Sequence, residues 1–402
     1  MAMKKILIAS DAMEIGGAET ALLGLLNSFD YSKYSVDLFL NRHKGEFMPL
    51  IPREINILPE KKEYAALAAP IAGVIKTGRI SQAYGRAVGK FKARRYCAKN
   101  NIGGAGAVYL EYSHKYTVKF MPEINPEVKY DLAVSFMTPH YFVARKARAD
   151  KKIAWIHTDY SYINVDAASE LKMWSAYDNI ISISEGVTKS FLSKFPTLGP
   201  KIILIETIIS PELINRRSER SKAADDMPAE EGVVRLLSVG RFSDAKNFDN
   251  IPFICKIIRE NGINVKWYLI GYGGDEGLIR RKIKEAGAED YVIILGKKEN
   301  PYPYIKACDI YVQPSRYEGK AVTVRETQIL AKPVVITDFP TAKSQLNDGF
   351  DGIIVPLDNI KCAEGIIGLI KDKKKQEELI NNCKRTNYDN KNEIEKLYAL
   401  IE

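Results

Sequence analysis

Ten residues in the C-terminal third of the chain combine two glutamates, a glycine and a predicted helix start, and they are the starting point for predicting the fold. They read Tyr317-Glu318-Gly319-Lys320-Ala321-Val322-Thr323-Val324-Arg325-Glu326. Glu318 precedes a glycine and a predicted helix start, and Glu326 lies inside that helix. Because a helix N-terminus favours anions, both carboxylates and the loop N–H groups can face one polar ligand pocket. Two glutamates at this spacing also occur by chance on solvated helices, so the rest of the chain must distinguish the two interpretations.

Size and composition indicate a soluble globular protein of two domains. The chain has 402 residues, of which 46% are hydrophobic and 27% charged. A length of this kind divides into two domains of roughly 200 residues, each able to bury a core. No apolar run approaches the ~18 residues of a membrane-spanning helix. Lys4 and Lys5 precede a strand-length apolar run, which we interpret as a first strand and not as a signal peptide.

The cysteines and the net charge indicate the cellular compartment and the kinds of ligand that the protein can attract. The five cysteines form no Cys-x-x-Cys pair, which favours a reducing cytoplasm without structural zinc. The net charge of +9 attracts phosphates, nucleic acids or anionic lipid without choosing among them. No nucleic-acid-binding motif is found, so no nucleic acid partner is expected.

The first half of the chain alternates predicted strands with predicted helices. The strands are Ile6–Ala9, Ser35–Leu40, Leu132–Phe136, Lys152–His157, Asn179–Ser184 and Lys201–Ile205. Gly16 and Gly17 follow the first strand and open an apolar helix, which is typical of a βαβ unit. The two glycines either leave backbone room for a ligand or form a plain tight turn. No Gly-x-Gly-x-x-Gly occurs, which disfavours a nicotinamide dehydrogenase.

A basic stretch, residues 76–99, interrupts this alternation. Its cations are Lys76, Arg79, Arg86, Lys90, Lys92, Arg94, Arg95 and Lys99. A basic amphipathic helix can lie on an anionic membrane surface. The alternative is a solvated helix that packs on the protein by its apolar side.

Residues 211–232 are charged and poor in large apolar side chains, and we predict an interdomain linker there. This places a first domain at 1–210, a second at 233–380 and a C-terminal helix at 381–402 that returns to the first domain. The second domain repeats the alternation, which predicts another doubly wound sheet. Its strands are Val233–Val239, Val265–Ile270, Val292–Leu295, Ile310–Gln313, Val334–Thr337 and Ile353–Val355.

Candidate ligand-binding residues follow several strands at the edge where open α/β sheets bind ligands. Arg241 and Lys246 combine a bidentate fork with a point charge, which suits a diphosphate, although surface salt bridges would account for them equally well. The glycines from Gly271 permit close approach of a backbone. Residues 297–304 can flank a base. His157 ends a strand of the first domain, although a lone histidine is more often structural.

Taken together, the order of these motifs resembles glycosyltransferase family 4 of the GT-B fold over essentially the whole chain. The motifs are Gly16-Gly17-Ala18-Glu19, His157, Ser182-Ile183-Ser184-Glu185, Gly240-Arg241 with Lys246, Gly271-x-Gly273, Asn300-Pro301 and Glu318-x7-Glu326. The resemblance implies two Rossmann-like, doubly wound α/β domains that face a cleft, with a C-terminal helix crossing back. Residues 154–159 resemble bacterial capsule and cell-surface polysaccharide members in particular.

The resemblance also implies roles for individual residues. Arg241 and Lys246 would bind the donor diphosphate, Glu326 the ribose hydroxyls and Glu318 the donor sugar. The remaining donor-binding positions would be Gly16, Gly17, Gly240, Gly271, Lys297, Asn300, Gly319, Lys320, Ala321 and Val322. His157 would approach the sugar near the reaction centre.

The implied activity is retaining transfer of a hexose or N-acetylhexosamine from a nucleoside diphosphate sugar, expected to be a UDP-sugar. The acceptor would be a lipid-linked or cell-surface glycan, with no metal and no separate cofactor. The protein would be cytoplasmic and peripheral at the inner face of the membrane, through residues 76–99. Two departures from the family pattern are Lys320, where an apolar residue is common, and Glu206-Thr207-Ile208-Ile209, where an Asn-Gly turn is common.

Other functions remain open at this point. A non-catalytic nucleotide-sugar or glycan-binding partner would use the same donor contacts, and so would a GT-B sugar-nucleotide epimerase. A glycoside hydrolase is disfavoured, because its two carboxylates must flank the scissile bond. Glu318 and Glu326 belong to one loop–helix segment with cationic neighbours.

Overall fold

The computed structural model describes residues 3–103, 106–219, 223 and 225–401. The chain divides into two units, one formed by Met1–Ile208 with Lys391–Glu402 and the other by Ile209–Asn390. Each unit is built on one parallel sheet, as the alternation of strands and helices predicts. The α/β fold class is therefore confirmed.

The sheet of the first unit has seven strands in the order β3-β2-β1-β4-β5-β6-β7. The strands are β1 (Lys4–Ser10), β2 (Tyr34–Leu40), β3 (Asn56–Ile57), β4 (Tyr130–Ser135), β5 (Ala149–Ile156), β6 (Asn179–Ser182) and β7 (Ile202–Leu204). Ile8 of β1 pairs with Leu38 of β2 on one side and with Val134 of β4 on the other. The strand order reverses between β1 and β4, which makes their carboxyl ends a topological switch point.

Nine α-helices of the first unit have described bounds. They are α1 (Gly17–Leu26), α2 (Lys62–Ala65), α3 (Ile71–Lys76), α4 (Ile80–Lys99), α5 (Gly106–Thr117), α6 (Tyr141–Lys146), α7 (Ala167–Ser175), α8 (Glu185–Lys194) and, near the C-terminus, the helix Ile394–Tyr398, numbered α16 in chain order. Strand β4 is buried almost throughout and β1 is buried from Ile6 to Ser10, as expected for parallel strands covered on both faces.

The sheet of the second unit has six parallel strands in the order β10-β9-β8-β11-β12-β13. The strands are β8 (Val234–Val239), β9 (Val265–Ile270), β10 (Val292–Gly296), β11 (Ile310–Gln313), β12 (Val334–Thr337) and β13 (Ile353–Val355). The helices are α9 (Pro211–Ser218), α10 (Ile251–Glu260), α11 (Glu276–Ala286), α12 (Tyr302–Ala307), α13 (Val322–Ile329), α14 (Asn359–Lys371) and α15 (Lys373–Arg385). Here the switch point lies between β8 and β11.

The second unit has a core on each face of its sheet. Leu236 belongs to one buried cluster and Leu237 to the other, because successive side chains of a strand point to opposite faces. Helix α10 buries Ile251, Ile254 and Ile258, which recur at helical spacing on one face.

The predicted strands all correspond to observed ones, and only the two-residue β3 had no counterpart in the sequence analysis. The expected linker differs from the structure. Residues 211–218 form α9, which Ser210 caps by accepting from the Leu213 N–H and which places Ile214 in a core of the second unit. Of the remaining predicted linker, residues 220–222 and 224 lie outside the described residues.

The C-terminal region also differs from the single helix expected over residues 381–402. Helix α15 ends at Arg385, and residues 391–402 join the first unit. There the Tyr398 ring stacks on Tyr34 at 4.1 Å, and its hydroxyl accepts from the Asp30 N–H at 2.8 Å. Aromatic burial against β2 is therefore what holds this segment.

Helix α4 turns its small residues towards the protein. Ala83, Gly85, Gly89 and Ala93 are buried. A Cβ added at Gly89 would lie 2.5 Å from the carbonyl oxygen of Tyr112 in α5. The backbones of α4 and α5 therefore come into direct contact, and only small side chains fit between them.

The large apolar side chains of α4 face outward instead. Ile80, Tyr84 and Phe91 are 70%, 60% and 64% exposed. The interpretation in which the apolar side of this helix packs on the protein is therefore wrong for these three residues. Among the helices the structure describes, none combines the length and apolar character needed to cross a membrane.

Candidate functional site

The candidate site of the second unit lies at the switch point of its sheet. The loops after β8 and β11 leave adjacent strands at the same edge, so residues distant in sequence meet there. The Arg316 N–H donates to the Ala245 carbonyl at 2.8 Å, which joins the two loops directly. Arg316 also bonds the carboxylate of Asp249 through Nη1 and Nη2, at 3.0 and 2.8 Å. Backbone and side-chain hydrogen bonds of Arg316 therefore both hold the loop after β11 against the segment after β8.

Lys246 and Glu318 form an ion pair across this junction. The Lys246 ammonium donates to Glu318 Oε1, and so do the Ser315 hydroxyl at 2.6 Å and the Gln313 amide at 3.1 Å. All three donors use the same oxygen. Oε2 of Glu318 takes none of these bonds and keeps its capacity to accept hydrogen bonds from a ligand hydroxyl.

Arg241 follows β8 and is exposed. Its guanidinium makes no ion pair within the described residues, unlike Lys246. The two cations that the sequence analysis assigned to a diphosphate therefore differ in whether they are paired with a carboxylate. Arg241 is uncommitted, whereas Lys246 already neutralises a carboxylate.

Two glycines allow the loops after β8 and β9 to touch. A Cβ added at Gly271, whose φ is +157°, would lie 1.9 Å from the Gly240 carbonyl oxygen. At Gly273, with φ +158°, it would lie 2.2 Å from the Phe242 carbonyl oxygen. Two hydrogen bonds then join the segments, from the Gly240 N–H to Ile270 O at 3.0 Å and from the Phe242 N–H to Tyr272 O at 2.9 Å. The predicted close approach is thus between backbone segments of the protein.

Glu326 lies in α13 and is 5% exposed. The Tyr302 hydroxyl donates to its Oε1 at 2.7 Å. Burial raises the pKa of Glu326 to about 7, while the bond from Tyr302 and the charge of Arg217 act in the opposite direction. Glu318 and Glu326 therefore do not act as a pair, because each has its own set of partners.

The loop that opens α13 differs from what the resemblance implied. The Ala321 N–H donates to the Gln345 side chain at 2.9 Å, and the Val322 N–H donates to Lys320 O at 3.1 Å. These two amides are used within the unit and are not available to a donor sugar. The Gly319 N–H makes no hydrogen bond among the residues described.

Lys297 and Asn300 lie in the loop after β10. The Lys297 ammonium is 4.8 Å from the centre of the Tyr272 ring. Asn300 donates to Arg217 O at 2.8 Å, and its Oδ1 is buried with no partner in the described part of the chain. A buried acceptor without a partner is suited to an N–H group of a ligand.

The first-unit candidates lie at strand ends too. Gly16 caps α1 and Gly17 begins it. His157 follows β5 and packs against Phe136 with ring centres 4.5 Å apart. Burial lowers the pKa of His157 to about 4, so the imidazole is neutral near pH 7. Its Nε2 is enclosed and has no hydrogen-bond partner among the described residues.

The sequence analysis missed several residues that hold the Glu318 loop. Gln313 and Ser315 are fully buried and bond Glu318, and the Thr341 hydroxyl donates to Glu318 O at 2.8 Å. Gln313 and Ser315 carried a signal, since polar residues end a buried strand there. Thr341 and Gln345 carried none, because their role depends on a loop that returns to the site from β12.

Ser182 and Ser184, which were part of the family motif, have a structural role. The Ser184 side chain caps α8 by accepting from the Val187 N–H at 3.2 Å, and Thr188 donates to Ser182 Oγ at 2.8 Å. Throughout residues 3–103, 106–219, 223 and 225–401, no group of three or more His, Cys, Asp or Glu side chains is placed to hold a metal ion.

Comparison with known proteins finds similarity to glycosyltransferases. Residues 220–386 match the family model "Glycosyl transferases group 1". Over 209 residues the chain is 25% identical to the Campylobacter jejuni "N-acetylgalactosamine-N,N'-diacetylbacillosaminyl-diphospho-undecaprenol 4-alpha-N-acetylgalactosaminyltransferase", which covers 52% of this chain and 54% of that protein. It is 31% identical over 126 residues to "Putative glycosyltransferase EpsF" of Bacillus subtilis, covering 30% and 33% of the two chains. The matches thus span about half or less of these relatives.

Solved structures match over nearly the full length. Anabaena Alr3699/HepE in complex with UDP and glucose superposes with a TM-score of 0.68 at 16% identity, covering 99% of this chain and 98% of that one. TarM of S. aureus gives 0.64 at 12% identity, covering 100% and 99%. At these identities the likeness shows the fold alone, and it confirms the expected GT-B fold.

Proposed function

We propose that this protein is a glycosyltransferase that moves a sugar from a UDP-sugar to a glycan acceptor in polysaccharide biosynthesis. The observation that carries the proposal is the convergence of Lys246, Glu318 and the uncommitted Arg241 at the switch point of the second sheet. Two cations suit a diphosphate, and a carboxylate with an unused oxygen suits a sugar hydroxyl. The family match over residues 220–386 supports this assignment, since all three residues lie within it.

The chemical roles follow from the surroundings of each group. Arg241 and Lys246 stabilise the negative charge that develops on the departing diphosphate, the usual contribution of fixed cations in phosphate transfer. Oε2 of Glu318 accepts from a hydroxyl of the donor sugar. Glu326 accepts from the ribose, and Asn300 Oδ1 takes an N–H of the base.

We assign the donor sugar to the hexoses or N-acetylhexosamines, and we assign a retaining outcome without a metal ion. Support for the last point is that Arg241 and Lys246 can supply the positive charge that a divalent ion provides elsewhere. The names of the relatives, which include an N-acetylgalactosaminyltransferase, favour an amino sugar or hexose of this kind.

The proposal is tested by UDP binding and by transfer. Arg241→Ala should weaken UDP binding about tenfold or more in calorimetry, because a charge-assisted contact to phosphate is lost. Arg281→Ala is the matched control, since Arg281 is an exposed arginine of α11 in the same unit. Equal UDP affinity of the two variants would contradict the diphosphate role.

Transfer separates the proposed enzyme from its two alternatives. A non-catalytic partner would bind UDP-sugars but release no UDP in the presence of bacterial lipid-linked glycan extracts. An epimerase would convert the donor without an acceptor. A glycosyltransferase should give an extended glycan, detected by mass spectrometry, together with stoichiometric UDP. A retained product is identified by the anomeric coupling constant in NMR.

We extend the proposal to a lipid-linked acceptor at the membrane, and the outer face of α4 supports this extension. Ile80, Tyr84 and Phe91 lie on one exposed stripe, and Arg94 and Arg95 border it. Apolar side chains flanked by cations are the chemistry of a helix that rests on anionic lipid.

Vesicle co-sedimentation tests this extension. Phe91→Glu should reduce binding to vesicles that contain phosphatidylglycerol several-fold, and binding to pure phosphatidylcholine should be weak for both proteins. Phe350→Glu is the control, since Phe350 is 46% exposed in the second unit. If Phe91→Glu binds anionic vesicles as well as the control does, the membrane assignment fails while the transfer activity is left untouched.

A further inference from the structure

Helix α9 lies outside every motif of the sequence analysis, yet it packs against two helices that carry residues of the proposed nucleotide site. These are α12, which begins at Tyr302, and α13, which contains Glu326. Ile214 of α9 shares a buried apolar cluster with Tyr302. The segment whose composition predicted a linker therefore supports the helices of that site.

Arg217 of α9 is joined to the loop after β10 by two reciprocal hydrogen bonds. Its guanidinium donates through Nη2 to the Glu299 carbonyl oxygen at 3.0 Å, and its own carbonyl oxygen accepts from Asn300 Nδ2 at 2.8 Å. Because the amide nitrogen of Asn300 is committed to a carbonyl, its Oδ1 must point the other way. This buried oxygen, which has no partner among the described residues, is the one that the proposed function assigns to an N–H of the base.

The Arg217 guanidinium also lies against the Tyr302 ring. Its Cζ is 5.0 Å from the ring centre, which is within the range of a cation–π contact. The Tyr302 hydroxyl in turn donates to Glu326 Oε1 at 2.7 Å. Arg217, Tyr302 and Glu326 are only 6%, 4% and 5% exposed. These three side chains therefore form a buried series of contacts that runs from α9 through α12 to α13.

The ionisable groups around Glu326 come from several elements. Those that face its carboxyl are Arg217 from α9, Tyr302 from α12 and Tyr311 from β11. Strand β12 contributes no ionisable side chain, and Cys383 of α15 faces Arg325, the neighbour of Glu326 in α13. Burial raises the pKa of both tyrosines well above the ordinary value of 10, so they are neutral near pH 7.

Of the three groups that face Glu326, Arg217 is thus the charged one. Burial raises the pKa of Glu326, and the charge of Arg217 opposes that rise. Arg217 therefore keeps a larger fraction of Glu326 ionised near neutral pH. An ionised carboxylate only accepts hydrogen bonds, which suits the ribose hydroxyls that the proposed function gives to this residue.

We propose that Arg217 is a positioning residue of the donor site, which directs the Asn300 acceptor towards a uracil N–H and holds the Tyr302–Glu326 pair for the ribose. The identity of the ligand rests on the proposed function, whereas the contacts of Arg217 do not. Uracil carries an N–H at N3, where cytosine has an acceptor. A fixed amide oxygen at this point therefore selects UDP over CDP, because it would face the cytosine acceptor unpaired.

Calorimetry with UDP and CDP tests the base selection. The unmodified protein should bind UDP about tenfold more tightly than CDP or better. Arg217→Met should narrow this preference to about threefold or less, because the loop that carries Asn300 is no longer held. Arg216→Met is the matched control, since Arg216 is an exposed arginine of the same helix, and it should keep the full preference. Equal binding of UDP and CDP by the unmodified protein, or an unchanged preference in Arg217→Met, would overturn the proposal.

A pH profile separates positioning from support of the fold alone. The affinity for UDP-glucose should rise as Glu326 ionises, with a midpoint near pH 7. Arg217→Met should move this midpoint up by about half a pH unit or more, because the opposing charge is lost. Arg217→Lys restores a charge and should return the midpoint towards that of the unmodified protein. Weaker binding of UDP-glucose by Arg217→Met with an unmoved midpoint would show that Arg217 supports only the fold.

Urea unfolding without any ligand keeps this inference apart from the proposed function. Glu326 is largely protonated at pH 5.5 and largely ionised at pH 8.5, so Arg217→Met should lower the urea midpoint more at pH 8.5. In a Glu326→Gln background, the loss should be the same at both pH values, since glutamine does not ionise. An equal loss at both pH values with Glu326 present would contradict the link between these residues.

The ligand-free and ligand-binding results together distinguish the two proposals. A pH-dependent coupling of Arg217 with Glu326, in a protein that binds neither UDP nor UDP-glucose, would remove the proposed function and confirm the link between the two residues. Binding of both nucleotides without that coupling would do the reverse.

Discussion

Lys246 Nζ lies 2.5 Å from Glu318 Oε1, and this ion pair joins the loops that follow β8 and β11. Only 21% of the Lys246 side chain and 10% of the Glu318 side chain are exposed. The resemblance to known transferases implied a phosphate role for one residue and a sugar role for the other. The structure shows that they are also partners of each other, so a change in either one alters the charge of both subsites.

Removing the Lys246 charge should affect catalysis more than stability. In the proposed mechanism, Lys246→Met deletes one of two cations on the leaving diphosphate, and we expect kcat with a UDP-sugar to fall about 10²–10³-fold. Glu318 keeps its bonds from Ser315 and Gln313, so the free energy of unfolding should fall by only about 1–3 kcal/mol, measured in urea.

Lys256→Met is the matched control, because Lys256 is an exposed lysine of α10 whose ion pair with Glu260 is long, at 3.9 Å. Its kcat and urea midpoint should match those of the unmodified protein. A near-normal kcat for Lys246→Met would contradict the proposed role of this lysine.

Glu326 should make UDP binding depend on pH. Its pKa is raised to about 7 by burial, so the carboxyl is largely protonated below that pH and is a poorer acceptor for ribose hydroxyls. We expect the affinity for a UDP-sugar, whose diphosphate does not titrate in this range, to rise between pH 6 and 8 by about threefold or more. Glu326→Gln should remove this dependence, whereas Glu364→Gln, at an exposed position of α14, should retain it. A pH-independent Kd in the unmodified protein would refute the ribose role.

Gly271 should tolerate no side chain, because of the close approach between the loops after β8 and β9. The Cβ of Gly271→Ala would lie 1.9 Å from Gly240 O, and we expect a loss of about 3 kcal/mol or more in unfolding free energy. Gly274→Ala lies three residues along the same loop, and its Cβ would meet nothing within 4 Å. The difference between the two urea midpoints measures the cost of separating the loops. Similar midpoints would show that the loops move apart freely.

Glu170 in the first unit should oppose folding above neutral pH. Burial raises its pKa to about 7, from an ordinary value of 4.5, while hydrogen bonds from Tyr160 and Trp174 act to lower it. The folded state therefore holds the proton more tightly than the unfolded chain, and the free energy of unfolding falls as pH rises from about 4.5 to about 7.

Glu170→Gln keeps an oxygen to accept from Tyr160 and Trp174 but cannot ionise. The variant should gain stability relative to the unmodified protein by about 2–3 kcal/mol more at pH 8 than at pH 5, followed by urea unfolding of the first unit. If both proteins change equally between these pH values, the carboxyl does not titrate as its burial implies.

Much of the fold was predictable from local sequence, because strand and helix formation leave periodic signals. The predicted strands were all found, and Ile251, Ile254 and Ile258 recur at helical spacing in α10. Prediction was poorer where packing against distant residues decides whether a segment is a helix or a loop. Residues 211–218 look like a linker by composition, yet Ile214 finds a core and the segment becomes α9.

For the candidate site, the position after a strand singled out Arg241 and Lys246, the glycine before a helix start singled out Glu318 and Glu326, and the family resemblance assigned all four to one donor site. The burial and the hydrogen-bond partners of each residue were not predictable. The burial of Glu326 and the occupied N–H groups of Ala321 and Val322 depend on Tyr302 and Gln345, which no local pattern connects to this loop. The outward direction of Phe91 depends likewise on the contact between α4 and α5.

The sequence by itself determined two runs of buried strands separated by helices, and with them two parallel sheets, because burial and backbone periodicity act over a few residues at a time. Only the tertiary structure decided which side chains meet at the sheet edges. Lys246 and Glu318 are 72 positions apart, and they come together because β8 and β11 are neighbours where the strand order reverses.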